Sequence, residues 1–383
     1  MSYSIEQEFA NGMNIESLQK YCLSFPLKAL FLLTMIFSTV AHSQEEQYYF
    51  YHGRNYGSES IFNPLALIIN GGFGILQYDN RTRNLFEIRY KNGFNNVIAN
   101  LSHPVRSINE FGWKNFLGNE IYPGSLKKKN AQYWPNYQNH LIGGGMSYVA
   151  VKEWYRYHNY SHPTLLALGT IAVYHFLNEI VENNAFEGIN VDPIADVYVF
   201  NPLSIVLFSI DGVQKFFSQT LNMADWSTQP TYNPSARTIE NQGQNFSIKY
   251  KLPFSERLSY FYYWGLTGLS GLSYETESGE YFSLGAGLRA KELVSTEEQT
   301  NARKLTVTLT WNVGFFYDRD NSLLASVLFS GISNYKFHIN VYPGIISFGR
   351  FSPGFFCALG EQGRFVSGFS VNFFPLGLAT RLR

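Results

Sequence analysis

Residues 305–312 read Leu-Thr-Val-Thr-Leu-Thr-Trp-Asn, and this alternating stretch decides the fold of the C-terminal half of the chain. Its odd positions, from Leu305 to Trp311, are apolar, whereas its even positions, from Thr306 to Asn312, are polar. Because successive side chains of a strand point to opposite faces of a sheet, a period of two predicts a β-strand with one apolar and one polar face.

Segments of similar character surround this stretch. We expect strands at 244–252, 257–267, 269–276, 280–292, 303–316, 322–332, 335–342, 353–360 and 363–374. Turn-forming residues separate them, for example Glu277-Ser278-Gly279 and Gly360-Glu361-Gln362-Gly363. Some reach the roughly 9–11 residues that a tilted strand needs to cross a bilayer. We therefore predict an antiparallel β-barrel-like domain of about 8–10 strands over 227–383, entered through a linker that ends near residue 243.

The composition agrees with strands that face lipid. Aromatic residues make up 17% of the chain and charged residues only 15%, below the roughly 25% usual for soluble domains. A large soluble β-sandwich would share this composition and is the alternative. The 29 basic and 29 acidic residues balance, and the only basic run is Lys127-Lys128-Lys129. We therefore expect membrane lipid as a partner and no nucleic acid.

The N-terminal 43 residues have the pattern of a signal peptide. Lys20 and Lys28 precede an apolar run at 29–37, and Ala41-His42-Ser43 supplies a small-x-small cleavage site. The run is too short for a confident membrane span. We assign 1–43 to a signal peptide, so that Cys357 stands alone in the exported protein and cannot form an internal disulfide.

An N-terminal arm and an irregular segment follow at 44–135. The apolar stretch 65–70 fits either a helix or a strand, and 84–90 alternates loosely enough for one strand. Aromatic residues between 97 and 134 suit a short helix that lies on an interface or packs against the neighbouring helices.

A helical, membrane-associated module is predicted at 136–226. We expect helices from about His140 to Tyr157, from about 164 to 183, and from about 192 to 217 with a break near Asn201. The glycines at 143–145 lack the Lys-Ser/Thr of a phosphate-binding loop, so close helix packing is the better interpretation. The fold class is accordingly α+β.

Polar side chains that could carry chemistry concentrate in this module. On the second helix His175, Asn178, Glu179 and Glu182 have offsets of 0, 3, 4 and 7, which place them on one face. Asp192 and Asp196 follow after one short loop. A His with several carboxylates could hold Zn, Mn or Fe, or supply a general acid and base. The candidate catalytic residues are His140, His175, Glu179, Glu182, Asp192 and Asp196. The candidate ligands of a divalent metal are His175, Glu179, Glu182 and Asp196.

A purely structural interpretation of these residues is also open. His175 could donate to a helix carbonyl, Glu179 and Glu182 could face solvent, and Asp192 could be an ordinary N-cap. Glu153 is excluded from the predicted site, because Lys152 and Arg156 beside it suggest a surface position.

The segments 140–145, 175–182 and 192–196 together resemble the helical pattern of VanZ-like membrane families. The shared features are an early His before a Gly-rich apolar helix, an acidic helix end, and a D-x-x-x-D step into the next helix. The whole chain is similar to exported envelope proteins of Gram-negative bacteria that join such a module to a β-rich C-terminal half. The resemblance implies architecture and location, and no reaction.

The sequence thus predicts an exported protein at the outer membrane, or otherwise in the periplasm, with a structural or lipid-interacting role. The alternative is a membrane-associated, possibly metal-dependent enzyme that acts on lipid or envelope glycan through the polar residues between His175 and Asp196. A passive pore is a third class, and it would need a polar lumen.

Overall fold

The computed structural model describes residues 47–122, 136–297, 303–349, 351–372 and 374–382. The predicted signal peptide and the basic run at 127–129 lie outside these residues. The described helices are α1 (Pro64–Gly72), α2 (Tyr90–Ser102), α3 (Pro104–Phe111), α4 (Trp113–Phe116), α5 (Gly144–Tyr157), α6 (Pro163–Glu182), α7 (Asp192–Ala195), α8 (Asn201–Phe208) and α9 (Asp211–Lys215). Short 3-10 turns lie at Ser58–Ile61, Gly74–Gln77 and Glu361–Gly363, and π-helical turns at Leu117–Ile121, Asn136–Gly143, Asp196–Phe200 and Phe216–Thr220.

The three helices expected in the module are present. The stretch 65–70 is helical as well, and α1 starts where the side chain of Asn63 accepts a hydrogen bond from the Ala66 N–H at 2.9 Å. The strand predicted at 84–90 is wrong. Asn84 makes an isolated bridge to Thr238, and the chain then turns into α2.

The β-rich half forms one sheet with the order β1-β4-β5-β6-β7-β8-β9-β10-β11-β12-β13-β2-β3. The strands are β1 (Ala224–Asp225), β2 (Thr231–Asn233), β3 (Thr238–Glu240), β4 (Phe246–Lys251), β5 (Leu258–Trp264), β6 (Thr267–Glu275), β7 (Glu280–Glu297), β8 (Arg303–Arg319), β9 (Ser322–Ser330), β10 (Phe337–Val341), β11 (Pro353–Leu359), β12 (Phe365–Val371) and β13 (Gly377–Leu382). The nine strands predicted between 244 and 374 correspond to β4–β12, which pair antiparallel in sequence order and confirm an α+β fold.

The predicted linker and the predicted strand number both need correction. The sheet has 13 strands rather than 8–10, because β1 lies just before the stretch assigned to a linker, that stretch contains β2 and β3, and the last residues form β13. The linker assignment rested on Pro230, Pro234 and Gly243, and the strands between these residues are only three residues long. Strands of three residues are too short to show an alternation of apolar and polar side chains.

The sheet is not closed by a continuous ladder, since β1 and β3 end the strand order. Both ends nevertheless belong to one stretch of chain. Residues 224–233, here called the seam segment, pair with β4 through β1. The N–H groups of Trp226 and Thr228 then donate to the Asn245 and Gly243 carbonyls of the loop before β4, at 2.8 and 3.0 Å. At its other end the seam segment pairs with β13, and the Gly377 N–H donates to the Pro230 carbonyl at 2.9 Å.

The polarity of the sheet is the reverse of that in a soluble protein. One face of each long strand carries large apolar side chains that are exposed: Tyr260, Leu272, Tyr274, Phe282, Leu284, Leu288, Leu309, Trp311, Phe315, Phe329, Phe355, Leu359, Phe369 and Leu378. The opposite face carries many buried polar side chains: Ser247, Lys249, Ser259, Ser273, Ser283, Arg289, Asn312, Asp318, Ser326, Ser330, His338, Asn340 and Ser370. Exposed apolar area of this extent is unusual for a soluble monomer.

Side chains of the buried face meet across the curved sheet. Lys249 on β4 pairs with Asp318 on β8, four strands away in the sheet order. Trp226 of the seam segment packs against Phe261 and Phe316 with ring centroids 5.7 and 5.6 Å apart. These contacts require strong curvature, because distant strands of a flat sheet cannot touch.

The helical module rests against the outer face of β4 and β5. Trp264 donates from its indole nitrogen to the Gln138 carbonyl, and Phe246 packs in the same apolar cluster as α5 and α6. A Cβ atom on Gly143 would lie 2.5 Å from the Phe246 ring, and one on Gly145 2.2 Å from the Phe208 ring. Gly143 and Gly145 therefore serve close packing, as predicted.

Of the described helices, α6 alone has the length and composition to cross a membrane by itself. Its apolar window has a mean hydropathy of 1.4, and 39% of it is buried within the protein. The helical stretches 192–208 and 211–220 meet the same test only as a pair bent by 86°. The core helix of a soluble protein can have these properties, so they carry little weight alone.

Candidate functional site

Three stretches of helix bring the predicted polar residues together. The π-helical turn before α5 carries His140, and the last turns of α6 carry His175 and Glu179. Asp192 begins α7, and Asp196 begins the π-helical turn that follows it. The four-residue spacings place each pair on one helical face, as the sequence predicts.

Glu179, Asp192 and Asp196 form a buried cluster of carboxylates. One oxygen from each lies within 4.8 Å of the corresponding oxygens of the other two. All three side chains are buried, and Glu179 is only 1% exposed. Among the described residues, no lysine or arginine forms an ion pair with Glu179 or Asp196. Burial of several carboxylates without a cation is costly unless they take up protons.

His140 joins this cluster with a defined orientation. Its Nε2 lies 3.2 Å from Oδ2 of Asp196, and its Nδ1 lies 3.1 Å from Oδ1 of Asn201. Because the amide oxygen of Asn201 can only accept, Nδ1 carries the proton of the neutral ring. The lone pair of Nε2 therefore points toward Asp196.

His175 lies beside His140 and has no hydrogen-bond partner within the described part of the chain. The two imidazoles stack with centroids 5.2 Å apart, and both nitrogens of His175 are unpaired although the residue is 3% exposed. Oδ1 of Asp196 is also buried without a partner among the described residues. Unpaired buried polar atoms are rare, so each needs an explanation.

A chain of asparagine side chains supports the cluster from one side. Asn183 donates to Oε2 of Glu179 at 3.3 Å and accepts from the side chain of Asn190 at 2.6 Å. The Asn190 N–H in turn donates to Oδ1 of Asn100 at 3.1 Å. The sequence reasoning missed these residues and Asn201, because isolated asparagines show no pattern that separates them from turn residues.

Burial shifts the pKa values of the groups in the cluster. It raises the pKa of Glu179 well above its usual range, and the charge of Asp192 raises it further. The pKa of Asp196 rises well above its usual range, first through burial and then through Asp192 and Glu179. Burial lowers the pKa of His140 to about 4. Burial therefore disfavours the charged forms of both the carboxyls and the imidazole of His140.

Two residues of the predicted set lie at the margin of the site. Glu182 is not among the three clustered carboxylates, although burial and Asp192 raise its pKa to about 8. Asn178 points away and donates to the Gly71 carbonyl of α1 at 3.2 Å. The structural alternatives also differ from the observed geometry, since Glu179 does not face solvent and Asp192 lies inside α7, where Val191 is the cap residue.

The surface position predicted for Glu153 is wrong. Its carboxylate is buried and accepts three backbone hydrogen bonds, from Tyr49 at 2.7 Å and from Phe50 and Tyr51 at 2.9 Å. Glu153 thus holds the N-terminal arm against α5 and stays outside the carboxylate cluster. The charged neighbours Lys152 and Arg156 suggested a solvent-exposed position for Glu153. No sequence pattern indicated that the N–H groups of the arm would need its carboxylate as an acceptor.

Comparison with protein-family models, curated proteins and solved structures finds no match for this chain.

Proposed function

We propose that the protein resides in the outer membrane of a Gram-negative cell, with 227–383 in the bilayer and the helical module beside it. Its role is then structural or lipid-interacting. The observation that carries this proposal is the reversed polarity of the sheet. A lipid-facing strand needs apolar side chains outside and tolerates polar ones inside, and β5–β13 follow that rule.

The sheet closes into a barrel in this proposal, and the seam segment closes it. Unpaired strand edges in hydrocarbon would cost several kcal/mol for each unsatisfied backbone group. The seam segment binds β4 in its first half and β13 in its second half, so one stretch of chain covers both edges.

A passive pore is less compatible with this interior. Trp226, Phe261 and Tyr342 are fully buried inside the curved sheet. Arg83, from the segment after α1, enters the same interior and pairs with Glu240 at 3.0 Å. These large side chains occupy part of the interior, which argues against a continuous polar lumen.

The proposal is tested by fluorescence quenching in vesicles whose acyl chains are brominated. Trp311 lies on the outer face and is 55% exposed, so lipid bromines should quench it. Trp226 is fully buried inside the sheet and serves as the matched control. We expect Trp311→Phe to remove a quenched component and Trp226→Phe to leave quenching unchanged. If Trp311 emission is insensitive to brominated chains, or if fractionation recovers the protein in the soluble periplasm, the proposal fails.

The enzyme alternative has one observation in its favour. A cleft of about 570 Å³ is lined by Asn96, Asn100, His103 and Arg106 among other residues. Asn100 connects to Glu179 through three successive hydrogen bonds, by way of Asn190 and Asn183. The test is hydrolysis of envelope lipid or glycan by the purified protein, with Glu179→Gln as the variant that should lose it.

A further inference from the structure

We propose that Glu179, Asp192, Asp196 and His140 bind one divalent transition-metal ion. This site differs from the predicted ligand set, because His140 and Asp192 replace His175 and Glu182. The inference does not depend on membrane location, since all four ligands belong to the helical module.

The spacing of the three carboxylate oxygens is close to that around a single ion. Metal–oxygen and metal–nitrogen bonds of about 2.0–2.2 Å place two ligands of one ion about 3–4.3 Å apart. The three carboxylate oxygens lie within 4.8 Å of one another. Nε2 of His140 lies outside that group but only 3.2 Å from Oδ2 of Asp196, so its ring would have to move closer to Glu179 and Asp192 to bind the same ion.

The orientation of His140 suits a metal ligand. Metal-binding histidines commonly donate their second ring nitrogen to a fixed acceptor, which sets the tautomer. Asn201 provides that acceptor at Nδ1, and the lone pair of Nε2 is then directed at a carboxylate oxygen. Two lone pairs in contact repel each other unless a proton or a cation lies between them.

The unpaired buried atoms supply a second indication. Oδ1 of Asp196 belongs to the cluster and has no hydrogen-bond partner among the described residues. Both nitrogens of His175, one turn before Glu179, are unpaired as well. An ion would satisfy Asp196 directly, and a water molecule on the ion would give His175 a partner.

The donor set favours Mn²⁺, Fe²⁺ or Zn²⁺ over Mg²⁺ or Ca²⁺. Carboxylates suit hard ions, whereas imidazole suits first-row transition metals. Ca²⁺ prefers six to eight oxygen ligands, and Mg²⁺ usually keeps several water molecules. The buried position of Glu179 and Asp196 allows few waters.

The test measures bound metal in the full-length protein purified without chelators. We expect a metal-to-protein ratio near one, lost on dialysis against EDTA and restored by Mn²⁺ or Zn²⁺ with a rise in the melting temperature. Glu179→Gln should abolish the restored binding, whereas Glu187→Gln, an exposed change in the same module, should leave it intact.

Asn201→Ala keeps the test decisive if Glu179→Gln does not fold. It retains all four ligands but removes the acceptor that orients His140, so binding of Mn²⁺ should weaken about 10–100-fold. The absence of metal together with no thermal response to Mn²⁺ or Zn²⁺ would overturn the inference. Equal metal loss in Glu187→Gln would also overturn it. Neither result would bear on quenching by brominated lipid.

Discussion

Lys249 and Asp318 form a buried ion pair between β4 and β8, which are four strands apart in the sheet order. The ammonium also lies 3.8 Å from the centroid of the Tyr281 ring. This contact joins two strands that are not neighbours in the sheet, so it depends on the curvature of the domain. A flat or two-layered arrangement of the same strands would separate the two charges.

Lys249→Met is expected to destabilise the protein by about 3–5 kcal/mol, because it leaves the Asp318 carboxylate buried without its cation. The double variant Lys249→Met/Asp318→Leu should recover most of the loss, since it removes both charges. The midpoint of urea unfolding in detergent measures both effects. The control Lys251→Met breaks an exposed pair with Glu275 and should change stability by less than about 0.5 kcal/mol. If the double variant lost as much unfolding free energy as the two single substitutions together, Lys249 and Asp318 would not interact.

The outer face gives a second prediction. Leu284→Arg is expected to reduce stable membrane assembly by about 2–4 kcal/mol, as measured for arginine near the middle of lipid-facing strands. The same change at an exposed site of a soluble protein costs less than about 0.5 kcal/mol. Ser278→Arg, at the exposed tip of the β6–β7 hairpin, is the matched control. Refolding yield into vesicles measures the difference, and equal yields for both variants would favour a soluble sandwich.

Most of the sheet could be predicted from the sequence, for a physical reason. Strands such as β8 place apolar and polar residues on alternate faces. This period of two is visible in the sequence even when the fold is unknown. The seam segment could not be predicted, because its pairings depend on strands about 20 and 150 residues further along the chain. Its buried residues Thr231 and Asn233 look like ordinary turn residues.

The site was predictable only in part. Spacing along α6 and α7 identified Glu179, Asp192 and Asp196, since a helical face is a local property. It also selected Asn178, which contacts α1 instead, because periodicity cannot tell which neighbour a face meets. Glu120 shows the same limit. Its charge raises the pKa of Asp196 after the larger effects of burial and the other carboxylates, yet it lies on a separate element far earlier in the chain.

The N-terminal arm gives a third prediction. Glu153→Ala removes the acceptor of three backbone hydrogen bonds and leaves the N–H groups of 49–51 unsatisfied. Hydrogen bonds to a charged group contribute about 1.5–3 kcal/mol each, so local release of the arm should become easier by at least about 2 kcal/mol. Trypsin cleavage after Arg54 should then accelerate roughly 30-fold under conditions where opening is fast. Glu256→Ala, in an exposed turn, is the control, and equal cleavage rates would contradict the anchoring role.

The helix glycines give the last prediction, in which two similar substitutions should have opposite effects. A Cβ atom on Gly145 of α5 would lie 2.2 Å from the ring of Phe208, which is itself fully buried. Gly145→Ala should therefore cost about 1–3 kcal/mol through overpacking. A Cβ atom on Gly169 of α6 meets no atom within 4 Å. Gly169→Ala should stabilise the helix by about 0.4–1 kcal/mol, because alanine restricts the unfolded chain. Melting temperatures in the same detergent measure both changes. Stabilisation by Gly145→Ala would mean that α5 does not approach α8 as closely as described.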